Sequence, residues 1–557
     1  MADSESAPVR RLGALEPLRE RTFRTIWSAS LLANFGQLTL GVGAAWEMTR
    51  LTSSAGMVAL VQSAMMLPMM LVSVPAGAIA DMFDRRRIAM TGLSFAMICA
   101  IALTMLAMAG LTTPWVILAF CSLIGGGVAL YGPAWQASVR EQVKPEILPA
   151  AVALGAVSYN LARSFGPALG GLIVAAAGAK AAFGINAILY APLLLAFFFW
   201  KRVQLPGRFS PERLDRAIVS GARYAIHSPP IRIVVIRAFA FGVSGSAMGA
   251  LTPLIARDLL HGNASTYGLL LGAMGVGAVV GALMISWVRE RLKAEPAVRL
   301  CALLTGATTV AAGFSHNIVL TSLAMVGMGA AWMTLVSLLN VGVQLSAPRW
   351  VTARALAWFQ AGLTGGIGLG AWIWGYLAGA WLGIGGALVA SGIAIVLTLL
   401  IGLVLPMPAV SEAETEMVDI GNDPEVGLAI THRSGPIIIE VDYWVDPAEA
   451  RNFYDVALKL QSVRKRNGGF DWSIARDLQV PELWTERFHC PTWGDYLRQR
   501  NRMTQSDVDL QAKADSFHAT GMTGKRVRRR LERPLGSVRW RAETPDPRDM
   551  PISIYAP

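Results

Sequence analysis

The chain has 557 residues, of which 54% are hydrophobic and 15% are charged, and its mean hydropathy is +0.46. This balance excludes an ordinary water-soluble protein and indicates a chain that lies mostly in a membrane, with a smaller polar part. The formal net charge of +12 does not indicate nucleic-acid binding, because no run of arginines is interleaved with aromatic residues for base stacking.

Hydrophobic stretches follow one another from Trp27 to Leu405. A bilayer core about 30 Å thick takes roughly 20 residues of helix to cross, and a helix satisfies its own backbone hydrogen bonds. We therefore predict an all-α membrane protein with twelve transmembrane helices. The predicted spans are 27–48, 57–80, 88–110, 114–137, 151–177, 181–200, 232–256, 266–288, 298–315, 318–341, 354–381 and 384–405.

Positive charges recur at alternate turns between these spans. Residues 1–26 form a cytoplasmic tail that contains arginines and lacks the apolar region of a signal peptide, so we expect no cleaved signal. By the positive-inside rule, both termini of this multi-pass protein are cytoplasmic. The four cysteines are scattered and indicate neither a disulfide framework nor a metal site, and we expect no cofactor.

The two halves of the membrane region repeat each other. One gap-free shift of the chain aligns glycines and a glutamine of the first half with those of the second. The aligned pairs are Gly125 and Gly327, Gly127 and Gly329, Gln142 and Gln344, and Gly166 and Gly368. This pattern predicts two six-helix bundles, 27–200 and 232–405, joined by a cytoplasmic loop at 201–231, with a substrate cavity at the midplane between them.

A first motif lies at the turn after the second span and reads GAIADMFDRRR. It resembles the loop signature of the major facilitator superfamily, although the superfamily has an arginine where this chain has Met82. An aspartate at a helix end can pair with Arg140 and with the amino end of the helix near Thr352, which would hold the cytoplasmic side shut. The alternative is a basic topology anchor only. The gating residues are Gly77, Asp81, Asp84, Arg85, Arg86, Arg87 and Arg140.

A second motif, NLARSFGPALGG, lies in the fifth span. Its Gly166, Pro167, Gly170 and Gly171 resemble the antiporter signature, in which small residues and a proline let helices bend and approach closely. The chain is most similar to the exporter branch that includes the enterobactin exporter and macrolide-efflux proteins. This resemblance implies proton-coupled export of a drug, siderophore or secondary metabolite. An uptake permease and a transporter-derived sensor share the same scaffold and stay open.

Arg163 lies about thirteen residues into the fifth span, roughly 20 Å by helical rise. An isolated charge at that depth costs several kcal/mol, so Arg163 faces a cavity or a partner, and an anionic substrate group would suit it. The alternative is a structural arginine bonded to helix carbonyls. Further polar residues at cavity depth, each of which could instead join helices, are Asn34, Gln37, Tyr159, Asn160, Arg237, Asn340 and Gln344.

Proton coupling requires an acid whose pKa burial raises toward neutral pH. Glu47, near the outer end of the first span, is the preferred carrier, and Asp258 at the outer end of the seventh is the second candidate. The alternative is that both acids lie in the outer interface, with Asp258 beside Arg257.

After a linker at 406–430, residues 431–540 read as a cytoplasmic domain. A strand at "PIIIEVDYWV" precedes a helix capped by Asp446, a hairpin, a helix from about Pro491 to His518, and a last strand in "KRVRRRLER". This order is the α+β ferredoxin-like plan. Residues 541–557 are expected to be disordered.

The domain resembles modules of the antibiotic biosynthesis monooxygenase group, notably at "WTERFHCPTWGDYLRQRNRMT". That resemblance implies a dimerising or ligand-sensing appendage and a homodimer formed through it. A rival reading is an enzyme that modifies the cargo, with Trp472, Trp484 and His489 lining a pocket, but aromatic residues in strands are usually core. We expect no enzymatic activity.

Overall fold

A computed structural model describes residues 15–201, 222–348, 351–408, 430–519 and 526–532, except Ala225, with short pieces between 416 and 428. Most of the predicted central loop, most of the acidic linker and the terminal segment lie outside the described residues. By internal contacts the chain divides into two compact units. One holds Met1–Ile218, Ile233–Val341 and Leu356–Met407, and the other holds Val219–Arg232, Gly342–Ala355 and Pro408–Pro557.

The first unit is built of long helices. In the first half they are α1 (Arg21–Leu51), α2 (Ala55–Met82), α3 (Arg85–Met108), α4 (Pro114–Ser138) and the stretch Leu148–Phe199, which Gly178, at φ 77°, divides into α5 and α6. In the second half they are α7 (Pro229–Leu254), α8 (Ala264–Arg291), α9 (Ala294–Phe314), α10 (Ile318–Ser346), α11 (Thr352–Leu377) and α12 (Gly383–Val404).

Helix starts coincide with polar caps that the sequence provides. The Ser54 hydroxyl accepts a hydrogen bond from the backbone N–H of Met57 at the start of α2. Asp84 accepts from two backbone N–H groups at the start of α3, and Asn263 forms a capping box at the start of α8. Each cap satisfies donors that the first helical turn leaves free, so the turns stay short.

Nine helical segments of the described chain are long and apolar enough to cross a membrane, judged by length and composition. Two of them, Ala150–Phe199 and Arg354–Val404, have 50 and 51 residues, about twice the roughly 20 residues that one crossing takes. The prediction of a mostly helical, multi-pass membrane protein is confirmed.

The second unit contains a four-stranded antiparallel sheet. Its strands are β1 (Ile437–Trp444), β2 (Phe470–Arg476), β3 (Leu483–Cys490) and β4 (Arg526–Leu531), in the order β2-β3-β1-β4. The helix α13 (Ala450–Arg466) follows β1 and is preceded by a turn that Asp446 caps, as predicted.

The predicted single helix from Pro491 to His518 is wrong in one respect. It is two helices, α14 (Trp493–Arg500) and α15 (Gln505–Asp515). The break occurs because Thr504 and Asp507 form a capping box, in which each side chain bonds the other residue's backbone N–H and starts a new helix.

A buried ion pair lies in the core of this unit. Glu486, 1% exposed, accepts hydrogen bonds from Arg464 at 3.0 and 3.1 Å, from the Trp472 indole N–H at 2.9 Å and from the Tyr443 hydroxyl at 3.3 Å. Burial alone would lower the pKa of Arg464, but the Glu486 charge outweighs it and raises that pKa. The guanidinium therefore stays charged and depends on this carboxylate.

Replacing Glu486 with alanine is expected to lower the free energy of unfolding of this unit by about 3 to 5 kcal/mol, because Arg464 is left buried and unpaired. Chemical denaturation of the full-length protein, followed by protease resistance of the C-terminal region, measures this loss. The control is Asp455→Ala, an exposed acid on α13, which should change stability by about 0.5 kcal/mol or less. Equal stability of both variants would contradict the assignment.

The three residues suggested for an enzymatic pocket do not share one. Trp472 donates to buried Glu486, and Trp484 packs edge-on against Phe453 with ring centroids 5.7 Å apart. His489 lies five positions after Trp484 on β3, so the alternation of a strand places it on the other face of the sheet, where it stacks on Phe470 at 5.5 Å. This geometry corrects the pocket hypothesis.

Candidate functional site

Short turns make successive helices of the first unit antiparallel, so the turns alternate between two ends of the bundle. We call one end the basic face; it holds the turns at 83–84, 139–147 and 292–293. We call the other end the opposite face; it holds the turns at 52–54, 109–113, 260–263 and 315–317.

Near the opposite face, α5 and α8 touch through their backbones. A Cβ atom on Gly171 would lie 2.1 Å from the Cα atom of Gly268, and one on Gly275 would lie 1.9 Å from the carbonyl oxygen of Ser164. Such distances leave no room for a side chain, so small residues allow the first half to close against the second along this stripe.

A second contact between the halves joins α2 to α11. The Ser63 hydroxyl donates to the carbonyl oxygen of Gly368 at 2.6 Å, and Ser63 is only 1% exposed. A Cβ atom on Gly375 would lie 2.3 Å from the Cβ atom of Ala59, nearer the opposite face. The halves are thus packed tightly between the middle of the bundle and the opposite face.

The same stripes of α5 and α8 become exposed toward the basic face. On α5, Leu161 is 39% exposed and Val157 is 51% exposed, although both continue the helical stripe that contacts α8 through Gly171. On α8, Ala282 and Ser286 continue the stripe of Gly268 and are exposed. The described residues on these stripes are therefore buried from mid-length to the opposite face and exposed toward the basic face.

Arg163 lies near the middle of α5. It follows Ala162 at mid-length of α5, is half-buried, and has no hydrogen-bond or ion-pair partner among the described residues. Its face of the helix lies between the stripe that contacts α8 and the stripe that contacts α1 through Gly166 and Gly170. Tyr159, one turn nearer the basic face on the same side, is 46% exposed.

Polar residues of α1 lie against this part of α5. The Asn34 amide donates to the Ser158 hydroxyl at 3.4 Å, and Ser158 is 1% exposed. Gln37 is half-buried and has no hydrogen-bond partner within the described part of the chain. The structure therefore brings Asn34 and Gln37 close to the helix that carries Arg163.

The remaining cavity candidates are less well placed. The side chain of Asn160 lies outside the described residues. In α10, Asn340 is half-buried, while Gln344 is exposed near the basic face.

Arg237 has a different setting from the one expected. It is 7% exposed, and its guanidinium pairs with Glu295 at 2.5 and 3.3 Å. It also donates to the carbonyl oxygen of Leu405, while Glu295 accepts from the backbone N–H of Met407 at 2.8 Å. Arg237 is thus held at the end of α12 by an ion pair with Glu295.

The third helix of each half binds the carboxyl end of the sixth. Arg86 in α3 donates to the carbonyl oxygen of Phe197 at 2.8 Å, at the end of α6. Arg299 in α9 donates to the carbonyl oxygen of Gly402 at 3.2 Å, at the end of α12. In both cases a guanidinium meets the negative end of a helix dipole, which is stabilising.

The gating motif is described in part. Asp84 caps α3 by accepting from the backbone N–H groups of Arg86 and Arg87 at 2.9 and 3.4 Å. Gly77 and the side chain of Asp81 lie outside the described residues, and with them the predicted pairing of Asp81.

Glu141 is a partner that sequence reasoning missed. Arg85 forms an ion pair with it at 2.7 Å and also donates to the carbonyl oxygen of Ala137 at 3.1 Å. Arg140, the predicted partner of the motif, is exposed and has no ion pair among the described residues. The acid next to Arg140 in the sequence was the available signal.

The two acids proposed for proton coupling lie near the opposite face. Glu47 is 8% exposed and lies 3.3 Å from the guanidinium of Arg50. Asp258 binds Arg257 through both oxygens, at 2.5 and 2.9 Å, and Arg257 also donates to the carbonyl oxygen of Thr49. Each acid therefore has an arginine beside it.

The antiporter-like glycines pack α5 against α1. Cβ atoms on Gly166 and Gly170 would lie 3.0 Å from the Leu38 Cβ and 3.1 Å from the Thr39 Cα. Pro167 lies inside the helix between them. This stripe adjoins the face of Arg163, so the motif holds the arginine close to α1.

A bundle of long apolar helices whose two halves pack closely through small residues is the architecture of a membrane transporter. The family described as transmembrane secretion effectors matches residues 12–535. The chain belongs to this family of the major facilitator superfamily.

Two relatives each match more than half of this chain. The staphyloferrin A transporter of Staphylococcus aureus is 25% identical over 311 residues, which are 55% of this chain and 77% of the relative. The multidrug efflux pump Tap of Mycolicibacterium fortuitum is 25% identical over 348 residues, or 58% of this chain and 83% of the relative.

Solved transporters share the fold. A bacterial homolog of the human lysosomal transporter Spinster, in an inward-facing and unoccupied conformation, superposes with a TM-score of 0.56 at 13% identity, covering 70% of this chain and 96% of that one. A D-xylose-proton symporter gives 0.55 at 14% identity, covering 68% and 97%. At these identities the likeness shows the fold alone.

Proposed function

We propose that this protein exports a small organic molecule across the bacterial inner membrane by alternating access. The observation that carries the proposal is half-buried Arg163 at mid-length of α5, which has no hydrogen-bond or ion-pair partner among the described residues. A polar site at mid-depth between two halves is what a rocking transporter requires. Relatives named as an efflux pump and a siderophore transporter support export of such molecules.

The cargo carries an anionic group, a carboxylate or a phenolate. Arg163 is the reason, because a guanidinium at this depth without a protein partner among the described residues is costly unless a ligand or water meets it. Asn34, Gln37 and Tyr159 lie on the neighbouring surfaces and supply uncharged hydrogen-bonding groups. An amphipathic anion of drug or siderophore size fits this set.

The membrane region has twelve spans in two six-helix repeats. Counting α5 and α6 separately, counting α11 and α12 separately, and adding α1 raises the nine apolar segments to twelve. The matching contacts of Arg86 and Arg299 with the last helix of each half support a duplication. With an even number of spans and a basic face that is cytoplasmic, both termini are cytoplasmic.

The domain boundaries follow the same division. The six-helix bundles are 27–200 and 232–405, and residues 431–540 form a cytoplasmic ferredoxin-like domain. The strand order β2-β3-β1-β4 with antiparallel neighbours supports this last assignment, since it is the order that a β-α-β-β-α-β chain with split crossovers produces. A homodimer formed through this domain belongs to the proposal.

Protons are the coupling ion, and Glu47 or Asp258 carries them. Each carboxylate lies beside an arginine. Protonation would neutralise the carboxylate and release that arginine. Glu47 is the more buried of the two and is the preferred carrier.

Everted membrane vesicles test function, direction and coupling together. An amphipathic anion such as calcein should accumulate in vesicles that contain the protein when their interior is acidified, and a protonophore should abolish the accumulation. The cation ethidium, offered in parallel, should accumulate less if Arg163 selects the anion. Accumulation in right-side-out vesicles only would establish an uptake permease instead, and accumulation that ignores the pH gradient would remove protons as the coupling ion.

A further inference from the structure

One side of α8 carries a stripe of exposed apolar residues that ends in an arginine. Val276, Val280, Leu283 and Trp287 follow one another at intervals of three or four residues and are between 41% and 78% exposed. This spacing places the four side chains on one face of the helix, and Arg291, one turn further on, continues that face. From Val276 to Trp287 the helix rises about 17 Å, close to the roughly 15 Å of one leaflet of the hydrocarbon core. The stripe therefore spans one leaflet and ends at the basic face.

The packing of the other sides of α8 indicates that this stripe faces lipid. One side is covered by α5 through Gly275, and another is covered by α10 through Gly277. A Cβ atom on Gly277 would lie 2.0 Å from the carbonyl oxygen of Val326 in α10. Neither contact involves the stripe, whose large apolar side chains stay uncovered. In a helix that crosses a membrane, such side chains lie against acyl chains, which are as apolar as they are.

At the basic end of the stripe, Arg291 stacks on Trp287. The guanidinium carbon lies 5.2 Å from the centre of the Trp287 ring, within the range of a cation–π contact. Arg291 is exposed and has no hydrogen-bond or ion-pair partner among the described residues, and its exposed neighbour Glu290 forms no ion pair with it. The stack holds the guanidinium in place, and its N–H donors are available to an acceptor outside the protein.

The corresponding turn of the first half uses its arginines within the protein. Between α2 and α3, Arg85 pairs with Glu141 at 2.7 Å, and Arg86 donates to the end of α6. From Arg289 to Lys293, by contrast, the chain has three cations and a single acid, and none of these cations has an ion pair in the part of the chain that the structure describes. The turn between α8 and α9 therefore presents an excess of positive charge at the membrane surface, where it attracts anions.

We propose that Trp287 and Arg291 form a binding site for an anionic phospholipid in the leaflet at the basic face. The lipid phosphate accepts hydrogen bonds from Arg291, because the planar fork of a guanidinium matches two phosphate oxygens. The Trp287 ring lies at the level of the headgroup, and one acyl chain lies along Val276, Val280 and Leu283. A zwitterionic lipid binds less well, because the turn repels its positive headgroup. Binding requires only that α8 lies in a bilayer, so the site is independent of the cargo and of the direction of transport.

Photocrosslinking of the full-length protein in nanodiscs tests this site. Phosphatidylglycerol and phosphatidylcholine that carry the same photoreactive acyl chain are offered in parallel, and the label on residues 276–287 is measured by mass spectrometry. Phosphatidylglycerol should label this segment about fivefold more than phosphatidylcholine does, which is the preference that one arginine near the surface gives for an anionic lipid. Arg291→Ala should remove most of this excess. Arg291→Lys, which keeps the charge but loses the fork of donors, should retain part of it.

Two further variants separate the site from the general charge of the turn. Arg289→Ala is the matched control, because it removes an exposed cation that lies on the far side of the same helix, and it should leave the labelling unchanged. Trp287→Leu keeps an apolar side chain but loses the stack, so it should lower the labelling by phosphatidylglycerol. Equal labelling of the parent protein by both lipids would overturn the site. Unchanged labelling in Arg291→Ala would also overturn it, as would an equal loss in Arg289→Ala and Arg291→Ala. Since no cargo takes part, a failure here leaves the proposed function standing.

Discussion

Replacing Arg163 with alanine is expected to reduce efflux of an anionic cargo about tenfold to hundredfold. A charge-assisted hydrogen bond at a desolvated site contributes about 1.5 to 3 kcal/mol, and no other cation among the described residues lies on this face of α5. The measurement is the initial rate of calcein accumulation in everted vesicles at equal protein content. Ethidium transport should fall less or not at all, because a cation gains nothing from the guanidinium.

Two further variants show whether a loss of transport is due to the missing guanidinium of Arg163. Arg163→Lys retains the charge but not the planar fork of donors, so it should recover part of the rate. Lys180→Ala removes an exposed cation near the opposite face and should behave as the parent protein. If Arg163→Ala, present in the membrane at the parent level, transports calcein normally, then Arg163 has only a structural role.

Replacing Gly171 with valine is expected to abolish transport by keeping the halves apart near the opposite face. A Cβ atom alone would lie 2.1 Å from the Cα of Gly268, where only another backbone atom is available to move. The protein can then no longer adopt the arrangement in which α5 touches α8. It stays in the other state of the alternating-access cycle, and transport stops. Efflux should fall to the level of empty vesicles.

Cysteine accessibility distinguishes this block from misfolding. Val157 is exposed toward the basic face, and a cysteine introduced there should react more slowly with a membrane-impermeant maleimide in the Gly171→Val background. Gly126→Ala is the control, because a Cβ atom there meets nothing within 4 Å, and it should transport normally. Normal transport by Gly171→Val would contradict the close approach as a requirement of the cycle.

The helices could be located from the sequence because hydrophobicity alone determines which segments cross a bilayer. Their ends could not be placed as well, since α1 already begins at Arg21, where polar residues continue the helix beyond the apolar stretch. The break before α15 was readable, because Thr504 and Asp507 have the spacing of a capping box. The prediction of one helix from Pro491 to His518 overlooked it.

From the sequence, candidate cavity residues could be predicted only where a single residue is informative by itself. Arg163 stands out in the sequence because a charge within a transmembrane span costs free energy whichever way the helix faces. Arg237 looked equivalent, but its partner Glu295 lies 58 residues away, and no local pattern connects two helices across that distance. The backbone contact of Gly171 with Gly268 could not be anticipated, since it depends on how two helices far apart in the sequence pack.

The hydrogen bonds from Arg86 to the end of α6 and from Arg299 to the end of α12 each join two helices of the same half. Each one joins the beginning of one helix to the end of another. If the halves rock against each other as proposed, neither bond has to break during the motion.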